Sequence, residues 1–137
     1  MSRRDARRHI FNLMFQNEFN KEINTHESIE TYRNEYENFE RKDILFIKNE
    51  YNGILDNVEK IDSIIDKFSI GWSVDRLSTV DKAILRIAVY EIMFDDDIPN
   101  KVSVNEAVEL AKEFSEDKAP SFINGVLGKV VRYKEAN

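Results

Sequence analysis

The amino-acid sequence predicts an all-α fold made of two helical subdomains. Apolar residues recur at helical spacing along nearly the whole chain. Glycine and proline are scarce, with four and two residues, and no segment alternates apolar and polar residues over a β-branched run. A hydrophobic fraction of 42% supports a packed core. These observations favour a compact helical protein over a sheet or a disordered chain.

The first predicted helix runs from Arg3 to Phe19. Ser2 and Asp5 have the spacing of a capping box, in which the hydroxyl and the carboxylate bind free backbone N–H groups at a helix start. The apolar stripe that faces the core contains Ala6, Ile10, Leu13 and Met14.

Two further helices are predicted in the first half. The second covers residues 25–39, and the third is a single long helix over residues 43–68 with Asp43 as its N-cap. Apolar residues of the third helix recur in alternating steps of four and three, which is a heptad seam that packs lengthwise. They are Ile47, Tyr51, Ile54, Val58, Ile61, Ile65 and Phe68.

Gly71 and Trp72 mark a break in the helical pattern. This break divides the chain into an N-terminal subdomain of residues 1–68 and a C-terminal subdomain of residues 69–137. We interpret Trp72 as a residue that packs at the junction, and the alternative is a platform for a ligand.

The second half shows three helix starts. Ser78 with Asp81 and Ser103 with Glu106 are two further possible capping boxes. Pro120 suits the first turn of the last helix. Gly125 and Gly128 lie inside that helix, which predicts that another backbone crosses closely there.

Composition excludes several classes of protein. The absence of cysteine rules out disulfides and thiolate metal sites, and it fits a reducing cytoplasm. No apolar run approaches the roughly 20 residues of a membrane span, and no signal-peptide apolar region follows the start. The two histidines form no metal or triad pattern, and residues 95–97 lack the spacing of a calcium loop. We therefore expect no enzyme activity, no cofactor and no metal.

The net charge of −6 argues against general affinity for nucleic acid, so the position of the positive charges matters. Residues 1–9 contain Arg3, Arg4, Arg7 and Arg8 with one acid, Asp5. Guanidinium groups bind phosphates through paired N–H donors, and these four oppose the helix dipole at its N-terminus.

Phe11 and Phe15 continue the helical row that begins with Arg4 and Arg8. Aromatic rings at the end of such a row can stack on unpaired bases, which predicts a platform for single-stranded RNA. The alternative is a solvated helix start followed by two ordinary core phenylalanines. If three or four phosphates are bound, log K falls against log salt with a slope of about −2 to −3, so a basic partner would help to hold RNA.

Four segments with distinctive motifs follow one another along the chain. Residues 72–91 have the order Trp…Arg-Leu…Val-Asp…Leu-Arg…Ala…Tyr-Glu. The other segments are the arginine-rich start with Arg4, Ala6 and Arg7, residues 98–112 with Ile98-Pro99 and the run 104–112, and residues 122–127. In these motifs the chain resembles the NusB family of transcription antitermination factors over its first helix and residues 72–129, with a weaker match along the third helix.

The resemblance implies an all-α fold of two packed three-helix-bundle-like subdomains, with about seven helices in total. It also implies a cytoplasmic factor that binds boxA, a single-stranded element of ribosomal RNA leaders, together with the ribosomal protein NusE. The complex associates with the RNA polymerase elongation complex and opposes termination. Some members of the family form homodimers.

By motif position, the resemblance implies RNA contacts and a partner contact at Asp81. The implied RNA-binding residues are Arg3, Arg4, Arg7, Arg8, Phe15, Arg86, Lys118 and Phe122. Phe15 stands where the family often has tyrosine, so stacking is kept and a hydroxyl is lost. Lys118 stands where relatives often carry an acid. Glu106 and Asn124 are either functional or structural ties between helices. The runner-up function is a helical protein–protein scaffold with reduced or lost RNA binding.

Overall fold

The computed structural model describes residues 1–19 and 39–137. In these two ranges the chain forms six α-helices and one short 3-10 turn, and it contains no strand. The predicted all-α class is confirmed. The helix predicted over residues 25–39 falls outside the described residues, apart from Phe39.

The described chain divides into two compact units, Met1–Asp56 and Asn57–Asn137. The first unit contains α1 (Arg3–Phe19) and α2 (Arg41–Asp56), which pack against each other. The predicted stripe of α1 is buried, and α2 contributes Ile47, Tyr51 and Ile54 to the core. Asp43 is not the N-cap of α2, because the helix begins two residues earlier and the Asp43 carboxylate is buried.

The prediction of one continuous helix over residues 43–68 is wrong. The structure has α2 up to Asp56 and then α3 (Val58–Phe68), with Asn57 between them at φ −117° and ψ 15°. Asparagine is a weak helix former because its side chain competes for backbone hydrogen bonds. The carbonyl of Asn57 accepts a bond from the Ile61 amide at 2.9 Å, so it starts the new helix.

The second unit contains α3, a 3-10 turn (Val74–Arg76), α4 (Thr79–Phe94), α5 (Asn100–Phe114) and α6 (Ala119–Ala136). Helices α4, α5 and α6 pack against one another as a three-helix bundle, and α3 packs against α4 and α6. The core of this unit is aliphatic and is centred on α4. Its most buried large side chains include Ile61, Ile65, Ile84, Leu85, Ile92, Ile123 and Leu127. In the structure the boundary between the units lies between residues 56 and 57, so α3 belongs to the second unit. The boundary predicted from the sequence lies after residue 68 and would place α3 in the first.

The N-termini of three helices contain the residues that the sequence predicted there. The Ser2 hydroxyl accepts a bond from the Asp5 amide at 3.0 Å, and the Ser78 hydroxyl accepts one from the Asp81 amide at 3.1 Å. The serine hydroxyl bond of both predicted capping boxes is confirmed, and Pro120 lies in the first turn of α6.

The predicted cap at Ser103 is wrong. Helix α5 begins at Asn100 after Pro99, and Ser103 lies inside it with 2% of its surface exposed. Its hydroxyl donates to the buried carboxylate of Glu91 on α4 at 2.8 Å. Ser103 therefore ties two helices together, which satisfies a buried polar group.

The close backbone approach predicted at Gly125 and Gly128 is also wrong. A Cβ atom at Gly125 would meet nothing within 4 Å, and one at Gly128 would meet only the Arg132 side chain at 3.6 Å. Gly125 lies on the exposed side of α6, as does Asn124.

Candidate functional site

The arginines at the start of α1 differ in their surroundings. Arg3 and Arg4 are exposed, Arg8 is half-buried, and Arg7 keeps only 4% of its surface exposed. The Arg8 guanidinium donates to the Asp5 carboxylate at 2.6 Å. Of the four predicted phosphate ligands, only Arg3 and Arg4 are therefore exposed.

The arginine cluster rests on an aromatic ring that the sequence analysis missed. The guanidinium carbon of Arg3 lies 4.1 Å from the ring centroid of Phe46 on α2, and that of Arg7 lies 5.7 Å from it. A cation over an aromatic face is attracted by the ring quadrupole. This attraction holds the Arg3 guanidinium next to Phe46 of α2. Nothing in the local sequence links Phe46 to the arginines, because the contact joins two helices.

Asp5 reduces the positive charge at this helix start. The Ser2 hydroxyl, followed by the neighbouring Arg8, holds the pKa of the Asp5 carboxyl below its ordinary value of 3.8. The carboxylate is therefore charged at neutral pH and partly offsets Arg8.

The predicted aromatic row is only partly available to a ligand. Phe11 is 4% exposed and belongs to the core, whereas Phe15 is half-buried. Among the described aromatic residues Phe19 is the most exposed, at 64%, and its ring lies edge-on to Phe15 with the centroids 5.0 Å apart. The four-residue step from Phe15 to Phe19 was the signal that could have identified this pair.

His9 lies beside the arginines without adding charge. Its ring is half-buried and lies 4.7 Å from the ring of Phe39. Burial lowers the pKa of His9 below 6.5, and the charge of Asp5 offsets only part of this shift. The imidazole is therefore mostly neutral at pH 7.

A cleft in the second unit brings together three of the four site residues predicted there. Its volume is about 340 Å³, at the lower end of the range of ligand pockets. The predicted residues in it are Asp81, Lys118 and Phe122. The other residues that line it are Trp72, Arg76, Leu77, Ser78, Glu116 and Ala119.

Asp81 is held in place at the wall of this cleft. Its amide binds the Ser78 hydroxyl, and its Oδ1 accepts a bond from the Ser115 hydroxyl at 2.6 Å. These bonds tie the start of α4 to the end of α5. Lys118 is exposed just before α6, and Phe122 is half-buried in the first turns of that helix.

Arg86 lies away from the lining of the cleft. Its Nε and Nη2 atoms each donate to one oxygen of Asp62 on α3, at 2.8 Å. This is the two-bond pairing that a planar guanidinium forms with a carboxylate, and here both groups belong to the protein itself.

The structure does not support the interpretation of Trp72 as a packing residue. Trp72 is 54% exposed, and it forms part of the cleft wall. Gly71, with φ of +87°, places the chain in the left-handed region just before it.

No group of three or more histidine, aspartate or glutamate residues could hold a metal ion within residues 1–19 and 39–137. Among the helices described there, none has both the length and the apolar character that a bilayer crossing requires.

Comparison with known proteins gives one consistent result. The model of the NusB family matches residues 4–132. The transcription antitermination protein NusB of Clostridium novyi is 45% identical over 133 residues, which cover 96% of this chain and 99% of the relative. The structure of T. maritima NusB superposes with a TM-score of 0.89 at 32% identity, covering 96% of this chain and 92% of the other.

A solved complex of the antitermination factors NusB and NusE with dsRNA also contains a similar chain. That chain has a TM-score of 0.85 at 27% identity, and the match covers 96% of each chain. The family model spans nearly the whole sequence, and the relatives match over their full length. This chain belongs to the NusB family.

Proposed function

We propose that this protein is a cytoplasmic transcription antitermination factor. It binds boxA-type single-stranded RNA of ribosomal RNA leaders together with NusE and associates with the RNA polymerase elongation complex. The observation that carries the RNA part is the pair of exposed arginines at the start of α1, with Arg3 stacked on Phe46. The names of the relatives and the solved complex with NusE and RNA support the rest.

The aromatic groups further along α1 favour unpaired RNA. Phe15 and Phe19 present ring edges and faces on the same helix as Arg3 and Arg4. Rings of this kind stack on bases only where the bases are not stacked in a duplex. Because a similar chain was solved in complex with dsRNA, single-stranded and duplex forms of one sequence should be compared directly.

The overall charge explains why a partner is needed. A protein of net charge −6 that offers few exposed arginines loses RNA affinity steeply with salt, at a slope of about −0.7 per phosphate contact on single strands. A basic partner such as NusE would add phosphate contacts. The Asp81 carboxylate at the wall of the cleft is our candidate for binding that partner.

The test is a charge reversal at the exposed arginines. Arg3→Glu combined with Arg4→Glu should weaken binding to a boxA RNA at least about tenfold, since the loss of two phosphate contacts exceeds about 1.4 kcal/mol. The matched control is Lys101→Glu with Lys112→Glu, which reverses two exposed charges on α5. Equal affinities for the two double variants would remove α1 from the RNA site.

One observation favours the runner-up function, a protein–protein scaffold with reduced RNA binding. Arg7 is buried and Arg8 is bound to Asp5, so the protein itself engages two of the four predicted phosphate ligands. For such a scaffold, NusE would co-purify with the protein while boxA and scrambled RNA bound equally weakly in a filter assay.

A further inference from the structure

The backbone around Trp72 is fixed by hydrogen bonds. The Ser69 amide donates to the Ile65 carbonyl at 2.8 Å, and the Trp72 amide donates to the Ser69 carbonyl at 2.9 Å. The Ser69 hydroxyl, which is buried, lies 2.7 Å from the Ile65 carbonyl oxygen and 2.6 Å from that of Trp72. This turn therefore leaves α3 in a defined direction.

The chain after Trp72 is held as well. The Val74 amide donates to the Asp66 carboxylate at 2.5 Å, and the Val74 side chain is buried. Trp72 thus lies between two residues, Ser69 and Val74, whose positions are fixed by hydrogen bonds. Trp72 is nevertheless 54% exposed, although a tryptophan normally buries most of its large apolar surface.

Two cations line the same cleft as Trp72. Among the described residues, neither Arg76 nor Lys118 forms an ion pair, and both are exposed. The cleft also holds the ring of Phe122 and the carboxylates of Asp81 and Glu116. An aromatic face next to a guanidinium and an ammonium suits a nucleotide, because the ring can stack on the base while the cations bind phosphate. The Glu116 carboxylate can accept a hydrogen bond from a base amino group.

We propose that this cleft binds one unpaired nucleotide of the RNA, with the base stacked on the indole of Trp72 and the phosphate bound by Arg76 and Lys118. This inference rests on the proposed RNA-binding function. It assigns a stacking role to Trp72, which neither the arginine-rich helix nor the aromatic row of α1 supplies.

The protein contains a single tryptophan, so its intrinsic fluorescence reports on this position alone. Titration with a single-stranded boxA RNA should quench the fluorescence and saturate at the concentration given by the anisotropy of the same RNA carrying a label. Trp72→Leu should weaken RNA binding roughly 5- to 150-fold, the range for loss of one stacked base, while Trp72→Phe keeps most of the affinity. The matched control is Ile70→Ala, which removes a side chain that is 77% exposed in the same turn.

The outcomes separate this inference from the function on which it rests. RNA binding by anisotropy with unchanged tryptophan fluorescence, and with wild-type affinity in Trp72→Leu, would overturn the stacking site and leave the proposed function standing. Fluorescence that responds to NusE alone and not to RNA would assign the cleft to the protein partner and overturn the inference. No anisotropy change at all would overturn both.

Discussion

The guanidinium of Arg86 donates two hydrogen bonds to the carboxylate of Asp62, from Nε to Oδ1 and from Nη2 to Oδ2, each 2.8 Å long. The side chains are only 15% and 21% exposed, so solvent screens the pair less than it would a surface pair. The bonds join α3 to α4 within the second unit. A residue implied to bind RNA therefore has a structural role that can be measured on its own.

Arg86→Lys should destabilise the protein by about 1–3 kcal/mol, because lysine keeps the charge and loses the two-pronged geometry. Urea denaturation followed by circular dichroism measures the change. The matched control is Arg76→Lys, where an exposed arginine lies outside any ion pair among the described residues and the change should stay within about 0.5 kcal/mol. If both variants unfold at the same urea concentration, the pair with Asp62 contributes nothing to stability.

Arg7 and Arg4 lie on the same helix, but charge reversal should destabilise the protein much more at Arg7 than at Arg4. Arg7→Glu places a carboxylate where only 4% of the side chain is exposed, and the cost should exceed about 2 kcal/mol. Arg4→Glu changes an exposed residue and should cost less than about 1 kcal/mol. Thermal denaturation of the two variants decides the comparison. A similar melting temperature for both would show that Arg7 is not buried in solution.

The helix caps show what a local pattern can and cannot predict. Ser2 and Ser78 form their predicted caps because the spacing to Asp5 and Asp81 is a property of one helix turn. Ser103 has the same spacing to Glu106, but its hydroxyl binds Glu91, twelve residues earlier on another helix. The pattern alone does not reveal a tertiary partner.

The candidate site likewise has features that the local sequence predicts and features that depend on tertiary packing. The sequence identified the arginine-rich start of α1 because charge and helical spacing are local properties. It did not show that Arg7 is buried, that Phe46 lies under Arg3, or that Trp72 is exposed. Each of these facts depends on packing between segments that are distant in sequence.

Ser103→Ala should destabilise the protein by about 1–3 kcal/mol, because it removes a hydrogen-bond donor from a carboxylate that is 1% exposed. Urea denaturation at neutral pH measures the loss. Ser121→Ala is the control, since Ser121 is exposed on α6 and its replacement should be nearly neutral. Equal stability of the two variants would mean that Glu91 does not need this donor.

His9 should make the protein less stable in mild acid. Its pKa is lowered in the folded state by burial, so between that value and 6.5 the unfolded chain binds more protons than the folded one. This contribution to stability is fully present above pH 6.5 and is lost as the pH falls below it. The pKa of Asp5 is lowered from 3.8, so its contribution is lost only at much lower pH.

Chemical denaturation at pH 7.5 and at pH 5.5 should therefore show lower stability at pH 5.5, and His9→Gln should reduce that difference because glutamine does not titrate. Proton NMR of the imidazole C–H signals gives the pKa of His9 directly, and His26→Gln removes the signal of the second histidine. A His9 pKa at or above 6.5 would contradict the burial of this ring. A neutral His9 also means that acidification from pH 7.5 adds positive charge next to Arg8 on α1, so RNA affinity should rise while stability falls.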